Sequence, residues 1–336
     1  MASLTFVIAL AVAAGVTPLL IRLGGKGFLV DRPNERSSHK QPTPRGGGVA
    51  IVFAVAVAAG IGARSAPAWI VLGAALAMAG LGFLDDAFHL PVLPRLIAQL
   101  ACAGWVAWII GPVTALSIPG LIRIPFGVLA IPATVIWIVG VTNFFNFMDG
   151  IDGLAAGQAV LSSIVVLLAG WSADASIFAL AIAGGAIGFL IYNWSPARIF
   201  MGDAGSMLLG FLLPALPLLA PAERRPDAAF ATAIGLALFL LDPTVTLARR
   251  LVCGERIGIS HRDHAYQQFV RVGELHGRAT ATLLFVTAPL ALLGAWSYRD
   301  SRFGIAAAVA AVVVYAVEAT LAGVIRRQKP LSSPSA

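Results

Sequence analysis

The chain is expected to fold as an all-α, polytopic membrane protein with about eleven transmembrane helices, ten if one weaker run does not cross, with the N-terminus outside and the C-terminus inside. Three observations predict this. Hydrophobic residues make up 59% of the 336 and charged residues only 12%. A soluble domain carries about 25% charge, so at half that figure the chain cannot cover a water-facing surface and most of it must face lipid. Apolar runs near the ~20 residues that a helical crossing needs recur along the whole length, and basic residues fall unevenly between the loops that join them.

Taken in order, the runs centre on 3–24, 47–63, 66–84, 92–111, 127–142, 153–170, 174–192, 205–220, 228–248, 279–298 and 303–325. The first has no Lys or Arg ahead of it, so it reads as a span rather than a cleavable signal peptide, whose leading region is positive. The runs 127–142 and 205–220 are the weakest, and both abut unusual polar segments. With the loop around 25–46 inside, 17 of the 23 Lys and Arg lie in inner loops and 6 in outer ones, the bias that sets membrane topology. The same bias accounts for the net charge of +7. No basic helix with interleaved aromatics is present, so nucleic acid is excluded as a partner. Cys102 and Cys253 make neither a disulfide framework nor a zinc site. A single integral-membrane domain over 1–329 is expected, then a disordered tail at 330–336, with no inverted repeat of the transporter kind.

Five inner loops hold nearly all the chemistry. The first, from Asp31 to Gly48, sets Arg36, His39, Lys40 and Arg45 around a rigid Pro-Thr-Pro and a Gly run. Such a loop suits anionic oxygens, or serves only as a positive anchor at lipid headgroups. The second begins with Asp85 and Asp86 at the end of an apolar helix, where negative charge is disfavoured unless compensated. A divalent cation, or a phosphate with its metal, would compensate them, and Arg95 follows nine residues after Asp86. In the third, Asn143, Asn146, Asp149 and Asp152 recur at intervals of three, which stacks oxygen-bearing side chains on one helical face. Gly150 and Gly153 allow the backbone to approach a ligand closely. EF-hand spacing is absent, and few oxygen ligands with room for phosphate and water suit Mg²⁺.

The fourth loop, Tyr192 to Ser206, contains Asn193 and sets Asp203 between Gly202 and Gly205 just before a span. The Gly205 and Ser206 N–H groups then sit at a helix N-terminus, an anion site, and Arg198 is a local candidate partner for Asp203. The fifth holds His261, Arg262 and His264, spaced wrongly for a zincin and suited instead to a diphosphate.

Together these segments resemble the polyprenyl-phosphate N-acetylhexosamine-1-phosphate transferases of glycosyltransferase family 4 type, with five motifs in the family's order between residue 31 and about 267. The resemblance implies a ten- or eleven-helix membrane fold in the bacterial inner membrane, with the active site on the cytoplasmic face. It implies transfer of an N-acetylaminosugar 1-phosphate from a UDP-sugar to undecaprenyl phosphate, with release of UMP and dependence on Mg²⁺, for which Mn²⁺ substitutes. By the same resemblance Asp85 and Asp86 match the positions that engage the lipid phosphate, with Asp85 a candidate base. Asn146 and Asp203 match the metal ligands, Asp149 supports the metal, and Asp152 and Asn193 lie at the uracil and nucleotide. Arg95, Lys40 and Arg45 match basic substrate-binding positions, and His261, Arg262 and His264 the loop that holds diphosphate and sugar. The His-Arg-Asp-His-Ala-Tyr-Gln segment resembles the branch that initiates O-antigen, which uses UDP-GlcNAc or deoxy sugars such as FucNAc or QuiNAc. Undecaprenyl phosphate, the UDP-N-acetylaminosugar and membrane lipids are the implied partners, with a homodimer left open.

The three-histidine run of the phospho-N-acetylmuramoyl-pentapeptide transferases is absent, so that cell-wall activity stands as the alternative. A transporter is the rival from another class. It would place ionisable groups near mid-membrane, whereas here the acids gather at span ends, with Asp242 and Glu318 as exceptions.

Overall fold

The computed structural model describes residues 2–24, 29–31, 42–255, 264–271 and 276–328. The chain is a mostly helical, polytopic membrane protein. Its helices are α1 Ala2–Gly24, α2 Gly48–Gly62, α3 Ala66–Phe88, α4 Val92–Ile110, α5 Ala130–Met148, α6 Leu154–Ala169, α7 Ala173–Asn193, α8 Asp203–Ala215, α9 Arg225–Gly235, α10 Ala237–Val252, α11 Ala265–Arg271, α12 His276–Arg299 and α13 Phe303–Gln328. Every apolar run read from the sequence falls on a helix. Among the described residues, seven helices (α1, α3, α4, α5, α7, α12 and α13) are long and apolar enough to cross a bilayer alone, and α2, α6 and α8 are shorter.

The run at 228–248 is not one helix. It breaks between α9 and α10 with a bend of 76°. At the break α9 ends on Gly235, and the buried Gln158 of α6 donates from Nε2 to the Gly235 carbonyl at 2.6 Å, so that acceptor is satisfied from another helix. Two short ribbons also depart from the all-α expectation. Val30–Asp31 (β1) pairs antiparallel with Thr43–Pro44 (β2), and Ala115–Ile118 (β3) with Ile122–Pro125 (β4).

The core is built on α8, in which every residue from Ala204 to Ala215 is buried. A helix apolar all round belongs inside, and α2, α3, α5 and α6 pack against it. Pro214 has no N–H to offer the Gly210 carbonyl, the acceptor one turn back. The Thr142 hydroxyl of α5, bonded first to Ile138 O at 2.7 Å in its own helix, also approaches that carbonyl at 3.2 Å, and Trp137 Nε1 donates to Pro214 O at 3.0 Å. Thus α5 sets donors beside the polar groups that the proline disturbs, as apolar surroundings favour. Large side chains such as Phe53, Trp108, Ile136 and Phe285 remain exposed on the bundle's perimeter, where lipid is the solvent.

The three-residue link between α3 and α4 makes them antiparallel, so the start of α3 and the end of α4 share one pole. Exposed Trp69, Trp105, Trp108 and Trp296 all lie toward that pole, near the β3–β4 hairpin, as interfacial tryptophans do. The acids singled out above lie at the other.

Candidate active site

At the acidic pole, α3 and α5 end where α6, α8 and α12 begin. The first node forms around Asp86, whose side chain is wholly buried. It accepts from the backbone N–H of Asp203 at 3.0 Å and of Ala204 at 3.2 Å, so the last turn of α3 caps the start of α8. Gly202 adopts a left-handed φ of +75°, and a Cβ there would stand 2.8 Å from Asp86 Oδ2, so only glycine allows this approach.

Arg45 spans the node. Its Nε lies 2.9 Å from Asp86 Oδ1 and its Nη2 2.8 Å from Asp203 Oδ1. Burial works to lower the Arg45 guanidinium, but Asp203 and Asp86 outweigh it and hold the group above its ordinary range. Asn146 donates from Nδ2 to Asp203 Oδ1 at 3.1 Å and to Ser206 Oγ at 2.8 Å. Asp149, which follows α5, feels the charges of Asp203 and Asp86. Burial first and Asp203 second push its carboxyl up to about 7, against the pull of Arg45. Beside this node Asp85 pairs with Arg95 and accepts from Leu90 N at 2.8 Å.

A second node joins three segments at Asp152. Its Oδ2 accepts from Ala197 N at 3.1 Å, and its Oδ1 lies 3.2 Å from His276 Nδ1. Burial favours the neutral acid, yet His276 and the Ala197 N–H prevail and hold the Asp152 carboxyl below its ordinary value. Asn193 accepts from Gly153 N at 3.0 Å and donates to Ile199 O at 2.9 Å, tying α7 to the acidic turn.

The predicted residues Arg45, Asp85, Asp86, Arg95, Asn146, Asp149 and Asp203 therefore come together, with Asp152 and Asn193 adjoining. His264 lies with Asp242, its Nδ1 3.4 Å from Asp242 Oδ1. Lys40, His261 and Arg262 lie outside the described residues. Arg198, read as a partner for Asp203, instead stands 5.6 Å over the Tyr192 ring, and Arg45 takes that partner's role.

Sequence reasoning missed His276, Thr280 and Gln99. The Thr280 hydroxyl donates to Asp152 O at 2.6 Å, and Gln99 Oε1 accepts from Asn143 at 2.7 Å. A polar residue opening a long apolar run, the signal that marked Asp203, also marks His276. Asp242 is a structural acceptor, fully buried, which receives the N–H groups of Ala265 and Tyr266 at 3.0 and 3.2 Å.

A membrane bundle draws carboxylates, a guanidinium and an amide to one pole, and comparison with known proteins places the chain in a family. Residues 68–220 match Glycosyl transferase family 4. The chain is 33% identical to a probable undecaprenyl-phosphate N-acetylglucosaminyl 1-phosphate transferase of Bacillus subtilis (strain 168), over 84% of this chain and 80% of the relative. It is 30% identical to the decaprenyl-phosphate N-acetylglucosaminephosphotransferase of Mycolicibacterium smegmatis, over 93% and 85%. A phospho-N-acetylmuramoyl-pentapeptide-transferase of a Synechococcus strain is 34% identical, over only 60% of this chain and 63% of its own length. The chain belongs to glycosyl transferase family 4, the polyprenyl-phosphate N-acetylhexosamine-1-phosphate transferases.

Proposed function

We propose that the protein transfers an N-acetylaminosugar 1-phosphate from a UDP-sugar to undecaprenyl phosphate, releasing UMP, as the first committed step of O-antigen or another surface glycan. The observation that carries this reading is the pair Asp86 and Asp203 held on one guanidinium, Arg45, with Asn146 bonded to Asp203. Hard carboxylate oxygens that outnumber their cationic partner are donors of the kind Mg²⁺ takes. Asp203, Asp149 and the Asn146 side chain would hold it. A bound Mg²⁺ supplies neutralisation of the charge that develops on the diphosphate.

The remaining work falls to the chain itself. Arg95, held by Asp85, offers a cation to the lipid phosphate at the membrane margin. Asp85 orients the attacking phosphate oxygen, which is already largely ionised near neutral pH. Asp86 fixes the start of α8 so that Asp203 faces Arg45. Asp152 and Asn193 line the nucleotide side, and His264, with His261 and Arg262, serves the diphospho-sugar. The names of the most similar relatives favour N-acetylglucosamine as the sugar. The basic-residue bias supports an acidic pole facing the cytoplasm, and with it an outside N-terminus if all eleven apolar runs cross.

The test is direct. Purified protein is incubated with Mg²⁺, undecaprenyl phosphate and a panel of UDP-sugars that includes UDP-GlcNAc and UDP-MurNAc-pentapeptide, and UMP is measured. Release with UDP-GlcNAc or a deoxy-N-acetyl analogue supports the reading, release with the muramoyl pentapeptide alone supports the cell-wall alternative, and no release from any refutes both. Asp203→Asn should abolish release while the protein stays monodisperse in detergent.

A further inference from the structure

The last helix before α12 reaches into the acidic turn through one side chain that the proposed mechanism does not use. Asp242 on α10 accepts from Thr246 Oγ1 at 3.0 Å, from Ala265 N at 3.0 Å and from Tyr266 N at 3.2 Å, which fixes where α11 begins. Tyr266, itself fully buried, then points its hydroxyl at α5 and donates to Phe147 O at 3.1 Å. That carbonyl lies in the final turn of α5, where helical acceptors lack internal donors. Burial, with Asp242 second, holds the phenol protonated far above its ordinary range, so it remains a donor.

The approach is close enough to dictate a neighbour. A Cβ at Gly150 would stand 2.2 Å from the Tyr266 hydroxyl oxygen but 3.2 Å from Cζ. Gly150 lies between Asp149 and Asp152, so the phenol oxygen presses on the backbone that presents both carboxylates. A phenylalanine would fill the same apolar space, so the oxygen has a task that packing alone does not explain.

We propose that Tyr266 is a positioning residue that locks α11 to the 149–153 turn, so that the UDP-sugar side of the site is set jointly by the turn and by His264, which directly precedes α11. This deepens the transferase reading and rests on it.

The test compares Tyr266→Phe, Gly150→Ala and the double variant in the full-length protein, with KM measured separately for UDP-GlcNAc and undecaprenyl phosphate. Tyr266→Phe should raise KM for UDP-GlcNAc about fivefold, the order of one lost hydrogen bond, and leave KM for undecaprenyl phosphate unchanged, because the Tyr266 hydroxyl bonds to Phe147 O while Asp85 is held by Arg95 and Leu90. Gly150→Ala should cut kcat/KM by about a hundredfold, the order of an overpacked contact. The double variant should recover about tenfold over Gly150→Ala, since removing the oxygen removes the clash. The same recovery should appear in thermal unfolding without substrate. Equal changes in both KM values, or a double variant no better than Gly150→Ala in both assays, would overturn the inference. No UMP release from the wild type, together with thermal recovery in the double variant, would refute the transferase reading and leave the contact standing.

Discussion

Asp149→Asn should make the metal-free protein more stable at neutral and alkaline pH, and should flatten the dependence of its stability on pH. The carboxyl has an ordinary value of 3.8 and is pushed up to about 7 by burial and by Asp203. A carboxyl whose folded value exceeds its unfolded one contributes stability that is complete below the unfolded value, near pH 4, and disappears as pH rises through the folded value. At 1.36 kcal/mol per unit the full shift corresponds to about 4 kcal/mol. Asp149 keeps partial contact with solvent, which halves that to about 2 kcal/mol. About 60% of this loss falls above pH 5, and for a chain of this length 1 kcal/mol moves Tm by about 2 °C, so wild-type protein in detergent with EDTA should lose about 2 °C between pH 5 and pH 8.5 beyond what Asp149→Asn loses. Excess Mg²⁺ should restore the wild type at pH 8.5, because a cation favours the ionised acid, and should leave the variant unmoved. Parallel Tm–pH curves for the two proteins would refute the reasoning, because Asp149 would then ionise without cost in the folded state.

Two further substitutions separate positioning from binding. Asp86→Asn keeps one acceptor for two backbone N–H groups and weakens the partner of Arg45. An unpaired buried donor costs about 1–3 kcal/mol, so Tm should fall by several degrees whether or not Mg²⁺ is present, together with UMP release. Arg95→Gln removes the partner of Asp85 on the lipid side, and should raise KM for undecaprenyl phosphate about tenfold, as a lost charge-assisted bond does, with KM for UDP-GlcNAc unchanged.

The helices were legible because lipid imposes a length and a composition on every crossing, and both can be counted in a chain with so few charges. The break at Leu236 was not legible. Pro243 is the conventional breaker in that run, yet it lies inside α10, and the bend falls where Gln158 reaches Gly235 from a helix some 77 residues earlier. The β3–β4 hairpin was hidden for a related reason. Its strands are four residues each, too short to announce a period between two long apolar runs.

The acids of the site were legible by their position, since carboxylates at span ends need a compensating charge and that need can be read from spacing alone. The assignment of partners was not. Arg198 is five residues from Asp203, whereas Arg45, the actual partner, is 158 residues away, and nothing in the sequence ranks the distant cation above the near one. Harder still are the contacts in which a side chain meets a backbone carbonyl: Gln158 with Gly235, Thr142 with Gly210, and Tyr266 with Phe147. A salt bridge leaves two complementary residue types in the sequence, but a carbonyl is the same at every position, so such a contact leaves only one half of its signature. In a bilayer these contacts are also the costly ones to omit, because no water can replace the missing donor. The polar residues most easily dismissed as unremarkable in an apolar run are therefore where an unpredicted break, cap or tether should be sought, and Gln158, Thr142 and Tyr266 are each of that kind.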